Sequence, residues 1–441
     1  MNLWARKYFL STKLGRLKEA ERRLLDQCWR FAREESWSTS SLSSRTIESF
    51  DTLIPYSAVP VHHHQDDSGK EEAYRIHGVH VLNKDARPDV TTVKKNHHAH
   101  DTPLVMLHGY MAGAAYFYRN FAGLSDYFRS IYSLDLLGWG LSSRPSFKHI
   151  QNESLETAED FFVESLEAWR RANGVERMVL AGHSMGGYVG VAYCEKYPQH
   201  VDRLVLISPA AVSEEPKRCN SAERRLHPSE ELTKEKLREA YLRLFRKVSL
   251  GDMVRALPTA KAQELLMVEY IQKRLRTITD PSEQIALARY LASNSALPGS
   301  GEYVMAQFLT PGIFGVKPTE HRIPRLRIPH VSFLYGDEDW MDARDGLRVK
   351  MYCQRQQQQQ PVDMVPSVDV YQVSNAGHHP MLDNWQEFNA GVAMCAGVDV
   401  EHVDVPLPIE ICPIRHQESL NSMAVPKIIQ HLRNFQIVVS A

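Results

Sequence analysis

A serine framed by glycines, Gly182-His-Ser184-Met-Gly186, follows the apolar run Met178-Val-Leu-Ala and leads into Gly187 and Tyr188. These residue types at this spacing suit a nucleophile. A serine on a sharp turn between a strand and a helix sits at strained dihedrals, so its neighbours two before and two after must be glycine or very small. The turn pushes the Ser184 hydroxyl out of the strand. The N–H of Met185, at the start of the next helix, then faces the oxyanion that forms on an attacked carbonyl. This is the pattern of a nucleophile elbow. The plainer reading is a glycine-rich turn holding an ordinary serine, since five residues in this spacing recur by chance; the surrounding chain must decide.

An exposed serine needs a base, and the base needs an orienting acid. Two later apolar runs each end in candidates. Gly336-Asp-Glu-Asp339-Trp-Met-Asp342 follows His330–Tyr335, and Asn375-Ala-Gly377-His378-His379 follows Val368–Val373. The expected set is Ser184 as nucleophile, His378 as base and Asp339 as acid, with Asp342 as the alternative acid. A second oxyanion donor is expected from the loop after an early strand. His108-Gly109-Tyr110 occupies that place, which makes the Tyr110 N–H the partner of the Met185 N–H. This chemistry requires no metal or bound cofactor. The histidine runs His62–His64 and His97, His98 and His100 lack ordered ligand spacing and read as surface loops.

Positioning these residues takes a sheet with helices on both faces. Short apolar runs at 104–107, 130–134, 178–181, 203–207, 330–335 and 368–373 alternate with amphipathic segments, the clearest being Leu155–Asn173. That rhythm implies an α/β protein with a mostly parallel sheet, preceded by an antiparallel strand over 73–82. Residues 212–326 break it. They are charged and helix-rich, as over 230–248 and 261–277, and too long for a simple crossover, so they read as an inserted helical cap. Within it Leu265, Leu266, Met267, Tyr270 and Ile271 either line a lipid slot or pack the cap to the core. The expected organisation is an N-terminal segment (1–49), a first core part (50–211), the cap (212–326), a second core part (327–395) and a tail (396–441). Ser36–Ser44 reads as a linker, Gln356–Gln360 as a loop insertion, and the chain after Phe388 as irregular until a terminal helix over 425–439.

Composition limits the function classes. The 441 residues are 43% hydrophobic, enough for a sizeable core, and the net charge of −1 argues against bulk binding to nucleic acid. Six scattered cysteines without a C-x-x-C pair suit a reducing, intracellular compartment. No run approaches the roughly 20 apolar residues that cross a bilayer, so membrane contact is expected to be peripheral. Residues 1–18 carry five basic side chains and no acid, interspersed with Leu3, Trp4, Phe9, Leu10, Leu14 and Leu17. They read as a mitochondrial targeting segment, as a helix lying on a membrane surface, or more plainly as a solvated helix continuing through 19–35.

Six segments together carry a family resemblance: His108–Gly113, Tyr118-Arg-Asn-Phe121, Asp135–Pro145, Gly182–Gly186, Tyr335–Asp342 and Gly377–Asp383. The chain resembles one branch of the α/β-hydrolases over about residues 50–395. That branch includes the co-activator of adipose triglyceride lipase, N-acyl-phosphatidylethanolamine and lysophospholipid lipases, and mitochondrial cardiolipin deacylases. The resemblance implies a phospholipid or lysophospholipid substrate met at a membrane or lipid-droplet surface, in mitochondria or the cytoplasm. It also implies an alternative, acyl transfer from acyl-CoA attributed to an H-x4-D motif, here His378 and Asp383. Asp383 also stands three residues before Gln386, a helix-capping spacing, and the cap is the preferred reading. The co-activator members have asparagine in place of the nucleophile, whereas this chain keeps Ser184. Its departure is Met111, where relatives usually have glycine.

Overall fold

The computed structural model describes residues 3–32, 44–60, 73–84, 102–145, 154–214, 249–310, 313–359, 365–398, 400 and 407–408, with residues 3–10 and 407–408 described by their backbone alone. Both histidine runs, the expected helices over 230–248 and 425–439 and nearly all of the 36–44 linker lie outside the described residues.

Among the described residues, nine strands form one sheet in the order β1-β2-β4-β3-β5-β6-β7-β8-β9. They are β1 (Arg45–Pro55), β2 (Ala73–Asn83), β3 (Leu104–Leu107), β4 (Ser130–Leu134), β5 (Met178–His183), β6 (Val201–Ile207), β7 (His330–Gly336), β8 (Ser367–Val373) and β9 (Leu407–Pro408). From β4 through β8 every pairing is parallel; β1, β2 and β9 pair antiparallel at the margins. The central strands are apolar on both sides because both sides are covered. Val105, Leu107, Met178, Leu180, Leu204 and Leu206 enter one core, while Leu104, Met106, Val179, Ala181, Val205 and Ile207 enter the other.

The helices are α1 (Leu3–Leu25), α2 (Phe121–Leu124), α3 (Leu155–Ala172), α4 (Met185–Lys196), α5 (Leu250–Ala256), α6 (Ala260–Arg274), α7 (Pro281–Ser295), α8 (Gly301–Phe308), α9 (Ala343–Gln357), α10 (Pro380–Asp383) and α11 (Trp385–Cys395). Helices α5–α8 lie between β6 and β7 in sequence. The ion pair between Arg119 and Glu283 (2.6 Å) joins α7 to the segment after β3, with the Tyr118 hydroxyl donating to the same carboxylate. The Arg119 guanidinium also donates to Leu382 O at 2.6 Å, so one buried cation ties α7 to the chain that follows His378.

Three elements differ from the sequence expectation. The second half of α1 is neither a solvated helix nor a surface-lying one. Leu17, Ala20 and Leu24 recur along one stripe, are buried together with Cys28 just beyond the helix, and join the core that α7 also enters. Its polar residues follow suit. Lys13 Nζ donates to Ala296 O at 2.7 Å, and Glu21 Oε1 receives the Ser49 hydroxyl at 2.8 Å and His77 Nε2 at 2.9 Å. Burial works against a charge on His77, but Asp51 and Glu21 on either side raise its pKa to about 10. The glutamine run is not a loop insertion at its start. Gln356 and Gln357 complete α9, as unbranched side chains with good helix propensity do, and Gln357 Nε2 donates to Val365 O (3.2 Å). Finally, α11 carries regular structure past Phe388 to Cys395, because Phe388, Val392 and Ala393 have a core to enter.

Docking of α1 has a measurable consequence. Leu24→Ala is expected to lower stability by about 2–5 kcal/mol, the usual cost of a buried leucine truncation. Urea unfolding checks this; a loss within about 0.5 kcal/mol, typical of exposed positions, would mean the helix is undocked in solution.

Candidate active site

Ser184 joins β5 to α4 at φ +52 and ψ −113, a conformation that L-residues rarely adopt. The glycines around it are required by contact. A Cβ on Gly182 would lie 2.3 Å from Gly186 O, and one on Gly186 would lie 2.5 Å from Leu107 O. Backbone bonds hold the turn: Ser184 N–H donates to Ile207 O at 2.9 Å, and Ser184 O accepts from Gly187 N–H (3.0 Å) and Ala210 N–H (3.1 Å).

The loops after β7 and β8 bring the other two groups to this serine. His378 Nε2 lies 3.2 Å from Ser184 Oγ, and His378 Nδ1 lies 3.1 Å from Asp339 Oδ1. The Asp339 side chain is 1% exposed, and the Met341 N–H donates to the same oxygen at 3.0 Å. With Nδ1–H directed at a carboxylate, Nε2 is free to take the serine proton. Asp342, the alternative acid, is occupied elsewhere. It caps α9 by accepting the Arg344 N–H (3.0 Å) and pairs with the Arg344 guanidinium. Burial would raise its pKa, but Arg344 holds it down.

Three imidazoles cluster here, with ring centroids 5.0–5.4 Å apart: His183, His378 and His379. Within this cluster the described carboxylate contact is that of His378 with Asp339. His183 Nε2 donates to His378 O at 2.9 Å, and His379 stands between the hydroxyls of Tyr116 (3.3 Å) and Tyr270 (3.1 Å). Burial, reinforced by the neighbouring His378, pushes the pKa of both His183 and His379 well below the ordinary value. His378 therefore stands beside two neutral rings. His183 and Tyr116 lacked any sequence signal beyond lying inside or near the motifs. The sequence offers Tyr270 only as slot lining or packing. Of its four companions, Met267 and Ile271 are buried, Leu266 is partly buried in the same core and Leu265 is 56% exposed.

Met185 follows the serine directly, and the turn that carries Tyr110 packs against it through Gly109. Met185 opens α4, so its N–H belongs to the first turn, which has no intrahelical acceptor. Tyr110 lies in the turn after β3, packed so closely that a Cβ on Gly109 would come within 3.2 Å of Ser184 Cβ. His108 braces this turn. Its Nε2 accepts the Leu136 N–H at 3.1 Å, which leaves the proton on Nδ1 to donate to Gly109 O at 2.7 Å. Burial keeps His108 neutral, with a pKa lowered to about 4.

Asp383 does not cap a helix. Asn384 caps α11, accepting the Glu387 N–H, while Asp383 turns back to accept the Gly377 N–H at 3.0 Å and faces the Thr277 hydroxyl at 3.3 Å. It braces the backbone next to the base and does not contact the His378 ring. Among the described residues, one group is compact enough for a metal ion: Glu21, His77 and Asp135. Most of its atoms are already engaged, Glu21 Oε2 being the one without a hydrogen-bond partner. Asp135 accepts Ala114 N–H (2.6 Å) and Leu141 N–H (2.7 Å), and both His77 nitrogens face carboxylates.

Asp339→Asn is expected to lower kcat by several orders of magnitude, because an amide at that position favours the wrong tautomer of His378. Asp342→Asn keeps a competent cap and is expected to leave kcat within a few-fold. Steady-state hydrolysis of a soluble ester by both folded variants checks the ranking, and the reverse order would overturn the assignment.

Residues 102–384 match the family described as alpha/beta hydrolase fold. The chain is 31% identical over 320 residues to "Probable 1-acylglycerol-3-phosphate O-acyltransferase" of Oryza sativa subsp. japonica, covering 69% of each chain. It is also 31% identical over 301 residues to "(Lyso)-N-acylphosphatidylethanolamine lipase" of Homo sapiens, covering 68% of this chain and 80% of that one. A solved membrane phospholipase A superposes over 87% of this chain and 89% of its own, at 20% identity and a TM-score of 0.46. With a family match spanning most of the chain, and with a serine elbow set in a mostly parallel sheet, this protein belongs to the α/β-hydrolases.

Proposed function

We propose that this chain is a serine hydrolase that deacylates phospholipids or lysophospholipids. The observation that carries the reading is the chain of contacts Ser184 Oγ, His378 Nε2, His378 Nδ1 and Asp339 Oδ1. Ser184 attacks the acyl carbonyl while His378 takes its proton, and the N–H groups of Tyr110 and Met185 stabilise the tetrahedral oxyanion. The ester C–O bond breaks, the alcohol leaves with the proton from His378, and Ser184 holds the acyl group. Water, deprotonated by His378, then attacks the acyl-enzyme; fatty acid departs and Ser184 regains its proton. The glycerophospholipids in the names of the two similar proteins support the lipid class. The same reading places the protein at the surface of a mitochondrial membrane, where cardiolipin is a candidate substrate, or at a lipid droplet. Its support is the basic, aromatic sequence of residues 1–10. No described helix is long and apolar enough to cross a membrane.

The alternative is acyl transfer, in which an acyl-CoA or lipid donor acylates Ser184 and a lysophospholipid replaces water. It is suggested by the acyltransferase relative and by the His378-x4-Asp383 spacing. The bonds that Asp383 makes favour hydrolysis, because they assign it a bracing task already. A lipid-surface regulator without turnover would leave the contacts of Ser184 without a use.

Ser184→Ala is expected to abolish fluorophosphonate labelling and to lower turnover by at least about a thousandfold. Retention of a few per cent of activity would overturn the serine mechanism. Asp383→Asn keeps an acceptor for the Gly377 N–H and is expected to be mild; Asp383→Ala removes it and should lower kcat about tenfold or more through a displaced His378. With a labelled acyl chain, free fatty acid should dominate in wild type and the ratio to acylated phospholipid should stay flat across both variants. A wild type that mainly makes acylated phospholipid, and loses it selectively in Asp383→Asn, would make the transferase reading correct.

A further inference from the structure

Asn294 lies on α7, within the expected cap and 110 residues after the nucleophile, yet it is 2% exposed and faces the oxyanion turn. All four of its hydrogen-bonding positions are used. Its amide nitrogen donates to Ala112 O at 2.8 Å and to Met111 O at 3.3 Å. Its Oδ1 accepts the Gly140 N–H at 3.1 Å and Arg144 Nη2 at 2.7 Å. A backbone N–H and a guanidinium can only donate, so they fix which end of the amide is oxygen and turn the NH₂ toward the two carbonyls.

Those carbonyls connect to the oxyanion donor through two peptide planes. A trans peptide points its C=O and its N–H in opposite directions, and no described peptide bond is cis. The plane that offers Met111 O to Asn294 therefore directs the Ala112 N–H the other way, where it donates to Gly109 O at 3.3 Å. The plane containing Gly109 O carries, at its opposite end, the N–H of Tyr110. Gly109 O is thus held by Ala112 N–H and by His108 Nδ1–H, and the direction of the Tyr110 N–H follows. Met111 sits within this relay at φ +59, a left-handed conformation disfavoured for a side chain of its kind. It needs an external hold, and Asn294 provides one.

We infer that Asn294 is a positioning residue for the oxyanion hole, reaching from α7 to fix the Met111–Ala112 peptide and through it the aim of the Tyr110 N–H. The inference rests on the serine-hydrolase reading above and extends it: α7 completes the reacting centre as well as covering it. Substrate need not touch Asn294. Its loss should affect states that carry a tetrahedral anion far more than it affects ground-state binding.

The test uses the full chain, a soluble p-nitrophenyl ester and an alkylboronic acid, which forms a tetrahedral anion on the serine. Asn294→Ala should lower kcat about tenfold to a hundredfold, below the full loss of one oxyanion donor. It should weaken the boronic acid by a matching factor while KM stays within about threefold. Asn294→Asp keeps the size and the Arg144 bond but replaces the NH₂ donors with an acceptor, and should show the same pattern. It serves as the second variant if Asn294→Ala is unstable. Unchanged boronic acid affinity in a folded variant would overturn the proposal, as would KM and kcat changing together. Failure of both variants to fold would also overturn it, by giving Asn294 a purely structural role. If the wild type itself fails to bind the boronic acid and Ser184→Ala keeps its activity, the underlying serine reading is what fails.

Discussion

The backbone of one residue organises the rest of this molecule. Ser184 is held at positive φ, and a turn that sharp survives only where its surroundings overdetermine it. The surroundings do so from three strands. Ile207 of β6 accepts the Ser184 N–H, Leu107 of β3 lies where a Cβ on Gly186 would fall, and Gly182 of β5 leaves room for Gly186 O. The helix that starts at Met185 then lies over the same sheet. A serine strained in this way projects its hydroxyl toward the C-terminal ends of the strands, and the loops carrying Asp339 and His378 leave β7 and β8 at that end.

Charge is distributed around the serine so that one imidazole differs from its neighbours. His108, His183 and His379 are kept neutral by burial, while His378 has the carboxylate of Asp339. Neutral neighbours still act mechanically. His108 fixes Gly109 O, His183 holds the carbonyl of His378, and His379 links the base-bearing loop to Tyr270 of α6. Farther out, two cations do similar work. Arg119 ties Glu283 of α7 to Leu382 O, and Arg144 orients Asn294. The helices after β6 are therefore joined to the centre by hydrogen bonds and an ion pair in addition to apolar packing.

What the sequence determined by itself is what local chemistry dictates. Strict glycine spacing marks an elbow because backbone sterics leave no other residue type, and so Gly182, Ser184 and Gly186 could be read directly. Apolar runs of four to six residues, alternating with amphipathic helices, implied a parallel sheet because each strand must be covered on two faces. Chain order then placed an acid and a histidine after the last two long strands. Tertiary structure decided matters that depend on contacts distant in sequence. Asp339 and Asp342 are the same residue type and only three residues apart; burial beside His378 selects one, and the start of α9 claims the other. Asp383 has a capping spacing, but Asn384 is better placed to cap, and the Gly377 N–H takes the aspartate. The basic N-terminal stretch reads as surface-seeking until a core is present to receive Leu17 and Leu24. Asn294 carries no local signature at all, because its role exists only where α7 crosses the turn that follows β3.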